Sequence, residues 1–164
     1  MSQVFSDHSH FTPSYTPVEM FSMGIFGGTY FQIPTQHPQG FIQEMGELLP
    51  QNTGGIPDAT RNHYGILSGS SLEWWREKGL IHPDDPNGWV EWYVKFYYGR
   101  RHPDDERQIQ RWISFVARHG GMMRSYLAQG KDSPKTRQNL LQWAAKTHNP
   151  LDIKHTLSLF CVDI

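Results

Sequence analysis

The sequence predicts a mainly α protein: one compact domain of five or six helices around an aromatic central helix, with a minor extended element near the N-terminus. Three observations predict it. The chain has 164 residues, enough to bury roughly two-thirds of its unfolded surface around one core. Between Gly88 and Tyr98 large rings recur at helical spacing, and Trp89, Trp92 or Tyr93, and Phe96 share a face. Start and stop residues for further helices punctuate the chain on both sides of that stretch.

Taken in order, residues 1–16 read as an arm, flexible or laid over the body, on which little depends, and 17–164 as a single globular domain. Pro17 to Met23 allows one or two helical turns, with Val18, Met20 and Phe21 spaced for burial and Gly24 as the stop. Ile25 to Ile33 has strand-like composition broken by Gly27-Gly28, where the backbone is free to turn or to approach a ligand such as phosphate. That pair lacks the lysine and spacing of a P-loop and the three glycines of a dinucleotide fingerprint. Residues 34–63, rich in Pro, Gly, Gln and Asn, read as a long loop with a short helix around Phe41 to Leu49. A connection of that length is a functional lid, a wrapped loop or a flexible one.

Ser70 or Ser71 caps a helix running to Lys78, with Gly79 at its end. His82-Pro83-Asp84-Asp85-Pro86-Asn87-Gly88 is a turn-rich break. The helix from 88 to 98 is apolar over most of its circumference, which predicts burial on several sides. Gly99 ends it, with Arg100 and Arg101 complementing its dipole. Pro103 followed by Asp104, Asp105 and Glu106 starts the next helix, predicted to stop at Gly120-Gly121. A short helix is expected over Met122 to Ala128. Another begins at Ser133-Pro134, faces Leu140, Leu141, Ala144 and Ala145 inward, and closes at Asn149-Pro150. The tail, 151–164, is expected to dock on the body.

Composition excludes several classes. Cys161 is the single cysteine, so there is no intramolecular disulfide and no Cys-rich zinc site, and a reducing compartment fits. No window approaches the ~20 apolar residues of a membrane span, and the expected location is cytoplasmic, with no membrane partner. Charge is segregated: residues 1–94 carry three basic against ten acidic side chains, and 95–137 carry ten basic against four acidic. Either the two parts attract each other within the fold, or the second presents a basic face to an anionic partner.

Residues 85–112 hold three Trp, three Tyr and four Arg. The pattern Asp85-Pro86-x-Gly88-Trp89-x-x-Trp92-Tyr93-x-x-Phe96-Tyr97-x-Gly99-Arg100-Arg101, then Asp104-Asp105-x-Arg107-Gln108-Ile109-x-Arg111-Trp112, resembles a family of small proteins encoded by tailed bacteriophages and, in longer versions, by some algae and fungi. Gly27-Gly28-Thr29-Tyr30-Phe31, Ser68 to Leu72, and Arg137-Gln138-x-Leu140-Leu141-Gln142-Trp143 extend the resemblance over about residues 18–146. It implies host-cell cytoplasm for a phage-encoded member, and it brings no activity with it.

The residues themselves nominate a binding site. Arg100, Arg101, Arg107 and Arg111 form forks suited to phosphate or carboxylate, or else an internal ion-pair network. Aromatic rings beside arginine suit a nucleobase or another planar ligand, or else they are core. Trp74-Trp75 and Tyr97-Tyr98 are adjacent pairs pointing about 100° apart on a helix, so at least one of each pair is expected to reach a surface or pocket. The candidate ligand-binding residues are therefore Arg100, Arg101, Arg107, Arg111, Trp74, Tyr98, Gly27, Gly28 and Tyr30, and the expected partner is nucleic acid or a nucleotide-like ligand. An alternative is a small enzyme in which Asp105, Asp104, His102 and His63 perform acid–base work on an anionic planar substrate; a further one is an interaction protein without chemistry. The two His-Pro-Asp-Asp units and Asp7-His8-Ser9-His10 carry donors suited to a divalent metal, but His-x-x-x-His and His-Glu-x-x-His are absent, so no metal or cofactor is assigned.

Overall fold

The computed structural model describes residues 5–148. Among these are seven α-helices: α1 (Pro17–Met23), α2 (Gln39–Met45), α3 (Leu48–Gln51), α4 (Leu72–Glu77), α5 (Trp89–Tyr97), α6 (Asp105–Ala128) and α7 (Pro134–Leu141). The expectations for Asn149-Pro150, Cys161 and the docked tail lie outside the described residues.

α5 is the centre of the molecule, as its ring spacing predicts. Trp92, Tyr93 and Phe96 are wholly buried, and the only charged residue of its first turn, Glu91, is buried with them. It packs against α1 and α6, and α6 packs against α7. The helix starts follow local chemistry. Thr16 and Glu19 form a reciprocal capping box on α1, Ser71 accepts from the Trp74 N–H, and Ser133 accepts from the Thr136 N–H with Pro134 in the first turn. Beyond α5, Gly99 takes φ +108°, and the Arg100 N–H reaches back to Lys95 O.

Four expectations are corrected. The arm is a structural element: Phe11 is fully buried, with its ring 5.0–6.2 Å from those of Trp89, Trp92, Tyr93, Phe96 and Trp112. Residues 25–33 form no strand; a 3-10 turn covers Phe26–Gly28, and one isolated bridge joins Phe31 to Thr53. At residues 32–33 a side chain takes the place of a strand partner: Asn87 Oδ1 accepts from the Gln32 and Ile33 N–H groups and Asn87 Nδ2 donates to Ile33 O. α6 runs straight through Gly120-Gly121, because Gly120 is buried where the helix packs and tertiary contact outweighs a propensity cost of about 1 kcal/mol per glycine. α7 stops at Leu141 rather than near 149, and Ala144 takes φ +52°; Leu140, Leu141, Ala144 and Ala145 are nonetheless buried as expected.

The long 34–63 segment is wrapped onto the body and contains α2, α3 and a 3-10 turn, Ala59–Arg61. Two buried glutamines, one in α7 and one capping its end, fasten the loops on either side of it. Gln138 donates to Gly24 O and accepts from the Tyr64 N–H, while Gln142 accepts from the Phe26 N–H and donates to Ser68 O. None of the described helices is long and apolar enough to cross a membrane.

Candidate ligand-binding site

Among the described residues, three of the ten cations of 95–137, Lys95, Arg100 and Arg101, pair with acids of the first part of the chain. Arg100 grips buried Asp85 through two bonds of 2.8 and 2.7 Å, and Lys95 bridges Asp85 and Glu91 at 3.0 and 2.9 Å. Arg101 grips Asp7 through Nε and Nη2 at 2.6 and 3.2 Å, with its guanidinium 3.8 Å from the Phe96 ring centre. This pairing holds the Asp7 carboxyl well below its ordinary range. Arg107 grips Asp104 one turn earlier on α6 at 2.5 and 2.9 Å.

Arg111 is different. It meets no carboxylate in an ion pair among the described residues. Its Nη1 donates to Leu80 O at 3.3 Å and Gln108 Oε1 at 2.9 Å. The guanidinium sits on one side of two indoles that pack against each other at 6.3 Å, 5.3 Å from the Trp75 ring centre and 5.5 Å from that of Trp143. Burial, reinforced by the neighbouring Arg107 and opposed by Asp104, lowers its pKa to about 10, so it remains a cation at neutral pH. It lines an open groove of about 420 Å³ between the end of α4 and the flank of α6, with Trp75, Arg107, Gln110, Ser114, Phe115 and Trp143. One wall is a column of rings: Phe115 stacks on Trp143 at 4.6 Å and 16°, and Trp143 leans on core Trp89 at 5.0 Å and 34°. The groove therefore combines a desolvated cation, flat apolar walls and hydrogen-bonding rims.

The other nominated residues sit elsewhere. Gly27 and Gly28 take φ +63° and +75°, but their turn is filled by the protein itself. The Gly27 N–H donates to Asn62 Oδ1, and Arg61 donates to Gly28 O and Gln51 O. Tyr30 is buried, its hydroxyl accepting from the Glu91 N–H, and burial raises its pKa. Tyr98 packs edge-on against Phe41 at 5.9 Å. Trp74 is 41 % exposed, edge-on to Trp75 at 4.7 Å. His63 is exposed, its ring against Tyr64. Asp105 is buried and spends its oxygens on Trp92 Nε1 and the His102 N–H.

A second, mixed-charge cleft of about 530 Å³ is lined by Asp7, His8, Arg101, His102, Asp105 and Glu106. Next to it the two His-Pro-Asp-Asp units prove to be copies of one turn. In each, the histidine Nδ1 accepts the N–H two residues on, at 3.0 Å for His82 and 3.1 Å for His102, and its carbonyl accepts the N–H three residues on. The turns face each other with their imidazoles 4.8 Å apart, edge to face. His82, Asp84 and His102 bring three donor atoms within 4.8 Å of one another. The hydrogen bonds test whether these suit a metal. A ligating histidine normally donates its other ring N–H to an acceptor, whereas here each Nδ1 faces a backbone N–H, which places the proton on Nε2. His102 Nε2 duly meets Asp84 Oδ2 at 2.7 Å. The cluster fits a hydrogen-bonded clasp between two turns better than a metal centre, and neither ring offers a free Nδ1 lone pair for proton abstraction.

Sequence reasoning named Trp74 where the groove uses its neighbour Trp75, and it placed Trp143 and Phe115 at no site. The adjacent tryptophan pair was the legible signal, and Phe115, one turn beyond Arg111, was another. Comparison with models of protein families, with curated proteins and with solved structures gives no match to this chain.

Proposed function

We propose that this chain is a binding protein for a planar, anionic ligand of the nucleotide type, held in the groove between α4 and α6. The observation that carries the reading is Arg111, a largely buried cation without a carboxylate partner among the described residues, set beside the packed Trp75–Trp143 pair at an open groove. An uncompensated buried charge costs stability, and an anionic ligand supplies the missing counter-charge. A base lying against the indoles adds stacking worth ~1–3 kcal/mol. Arg100 and Arg101 are paired and serve the fold that presents the groove, while Arg107, paired with Asp104, lines the groove beside Arg111. Membership of the phage-encoded family that the central motif resembles, with action in the host cytoplasm, belongs to the same proposal.

The test is titration of nucleoside monophosphates followed by tryptophan fluorescence and calorimetry, on the parent and on Arg111→Met. The variant keeps the groove's volume and removes its charge. The expected result is loss of at least about tenfold in affinity, 1.4 kcal/mol, with thermal stability held or raised. Equal affinity in the variant, or absence of binding in the parent, overturns the reading.

A further inference from the structure

We infer that the groove is one end of a track for single-stranded nucleic acid, which continues along α6 to Arg118 and His119. The inference rests on the nucleotide reading of the same groove and extends it from a single nucleotide to a strand.

The first support is charge. From Arg107 to the end of α6 the helix carries Arg107, Arg111, Arg118 and Arg124 and not one acidic residue. Arg107 is paired with Asp104; Arg111 and Arg118 take part in no ion pair among the described residues. At 100° per residue, Arg111, Ser114, Phe115, Arg118 and His119 fall within one sector of the helix. Ser114 and Arg118 on that sector are exposed. Arg124 projects from a different side.

The second is the continuity of the ring column. Beyond Trp143 and Phe115 it ends in His119, which stacks on Phe115 at 4.0 Å and 15°. His119 Nδ1 lies 3.2 Å from Phe115 O, so its N–H points into the helix and Nε2 is left as an acceptor. Burial lowers the pKa of this imidazole, keeping it a neutral ring at pH 7. Cation, ring, cation, ring therefore alternate along one helix face.

The third is length. Arg111 and Arg118 are separated by about 10 Å of helix rise. A mononucleotide with its base against Trp75 and its phosphate on Arg111 leaves Arg118 and His119 without use. A strand repeats base and phosphate, and sets a second pair of groups on the second ring and cation, the arrangement single-strand binders use.

The experiment compares fluorescein-labelled oligothymidylate and oligouridylate of about twelve nucleotides, within the usual site-size range, with dTMP and UMP, at several salt concentrations. The oligomers are expected to bind at least about tenfold more tightly than the monomers, with a slope of log K against log salt of about −1.4 for two phosphates. Arg118→Gln should reduce that slope by about 0.7, and His119→Ala should weaken the oligomer roughly tenfold through lost stacking. Arg124→Gln, on another side of the helix, should change neither. The two oligomers decide whether the strand is DNA or RNA. Equal affinity for monomer and oligomer, or a slope unmoved by Arg118→Gln, overturns the track and leaves the nucleotide groove standing. Absence of binding to monomers and oligomers alike removes both.

Discussion

Asp85 and Arg100 lie fifteen residues apart and are joined by two parallel hydrogen bonds, with the Asp85 side chain wholly shut off from solvent. Lys95 completes the site on the same carboxylate. The three residues bind the turn before α5 to the turn after it, so the ends of the central helix are fixed to each other. Asp85→Asn keeps the shape and removes the charge, leaving two cations facing one amide. A loss of about 3 kcal/mol is expected, read as a lower urea midpoint with unchanged slope. A midpoint within error of the parent would show that the pair adds nothing to stability.

Phe11 makes the N-terminal arm part of the core. It is fully buried among five rings of α5 and α6. Phe11→Ala should cost about 3–5 kcal/mol through lost burial and a residual cavity. Removal of residues 1–12 should expose the α5 rings and increase binding of a hydrophobic dye. Retention of full stability without the arm would refute its role.

Gly121 is the opposite case. It occupies a helix interior with negative φ, and an added Cβ would lie 3.8 Å from the flexible end of Arg124, an ordinary contact. Gly121→Ala should therefore stabilise the protein by about 0.5–1 kcal/mol, a rise of roughly 2–4 °C per kcal/mol in a chain of this size. Unchanged or lower melting temperature would mean that the two glycines are needed for packing or bending at this point.

The pH profile follows from two sets of groups. Burial is the main cause that lowers the pKa values of His37, His119 and His148. The unfolded chain therefore takes up protons first, near pH 6.5, and stability fully present above that value is lost as pH falls toward the folded-state values. Hydrogen bonds lower the carboxyls of Asp58, Asp84 and Asp132, with His102 the main partner of Asp84 and Arg137 that of Asp132. Their contribution persists to about pH 4 and is lost below it. Denaturant midpoints from pH 8 to 3 should show two descending steps. Replacing the three histidines by glutamine should flatten the upper one and spare the lower.

Local signals settled much of the fold. Ring spacing marked α5 as the buried centre, and Ser71, Gly99 and Ser133-Pro134 marked helix ends, because a cap or a positive φ is decided within a few residues. The clustering of arginine with tryptophan was legible in the same way, and Arg111 was among the residues it singled out. Tertiary structure decided the rest. That Arg111 is left without an ion pair among the described residues, while Arg100, Arg101 and Arg107 each have one, depends on where Asp7, Asp85 and Asp104 place their carboxylates, and the Asp7–Arg101 pair closes over 94 residues. Phe11 enters the core, Asn87 replaces a strand partner for residues 32–33, and Gly120-Gly121 stays helical for one physical reason. Packing and hydrogen-bond energies of several kcal/mol, supplied by distant parts of the chain, exceed local preferences of about 1 kcal/mol or less per residue.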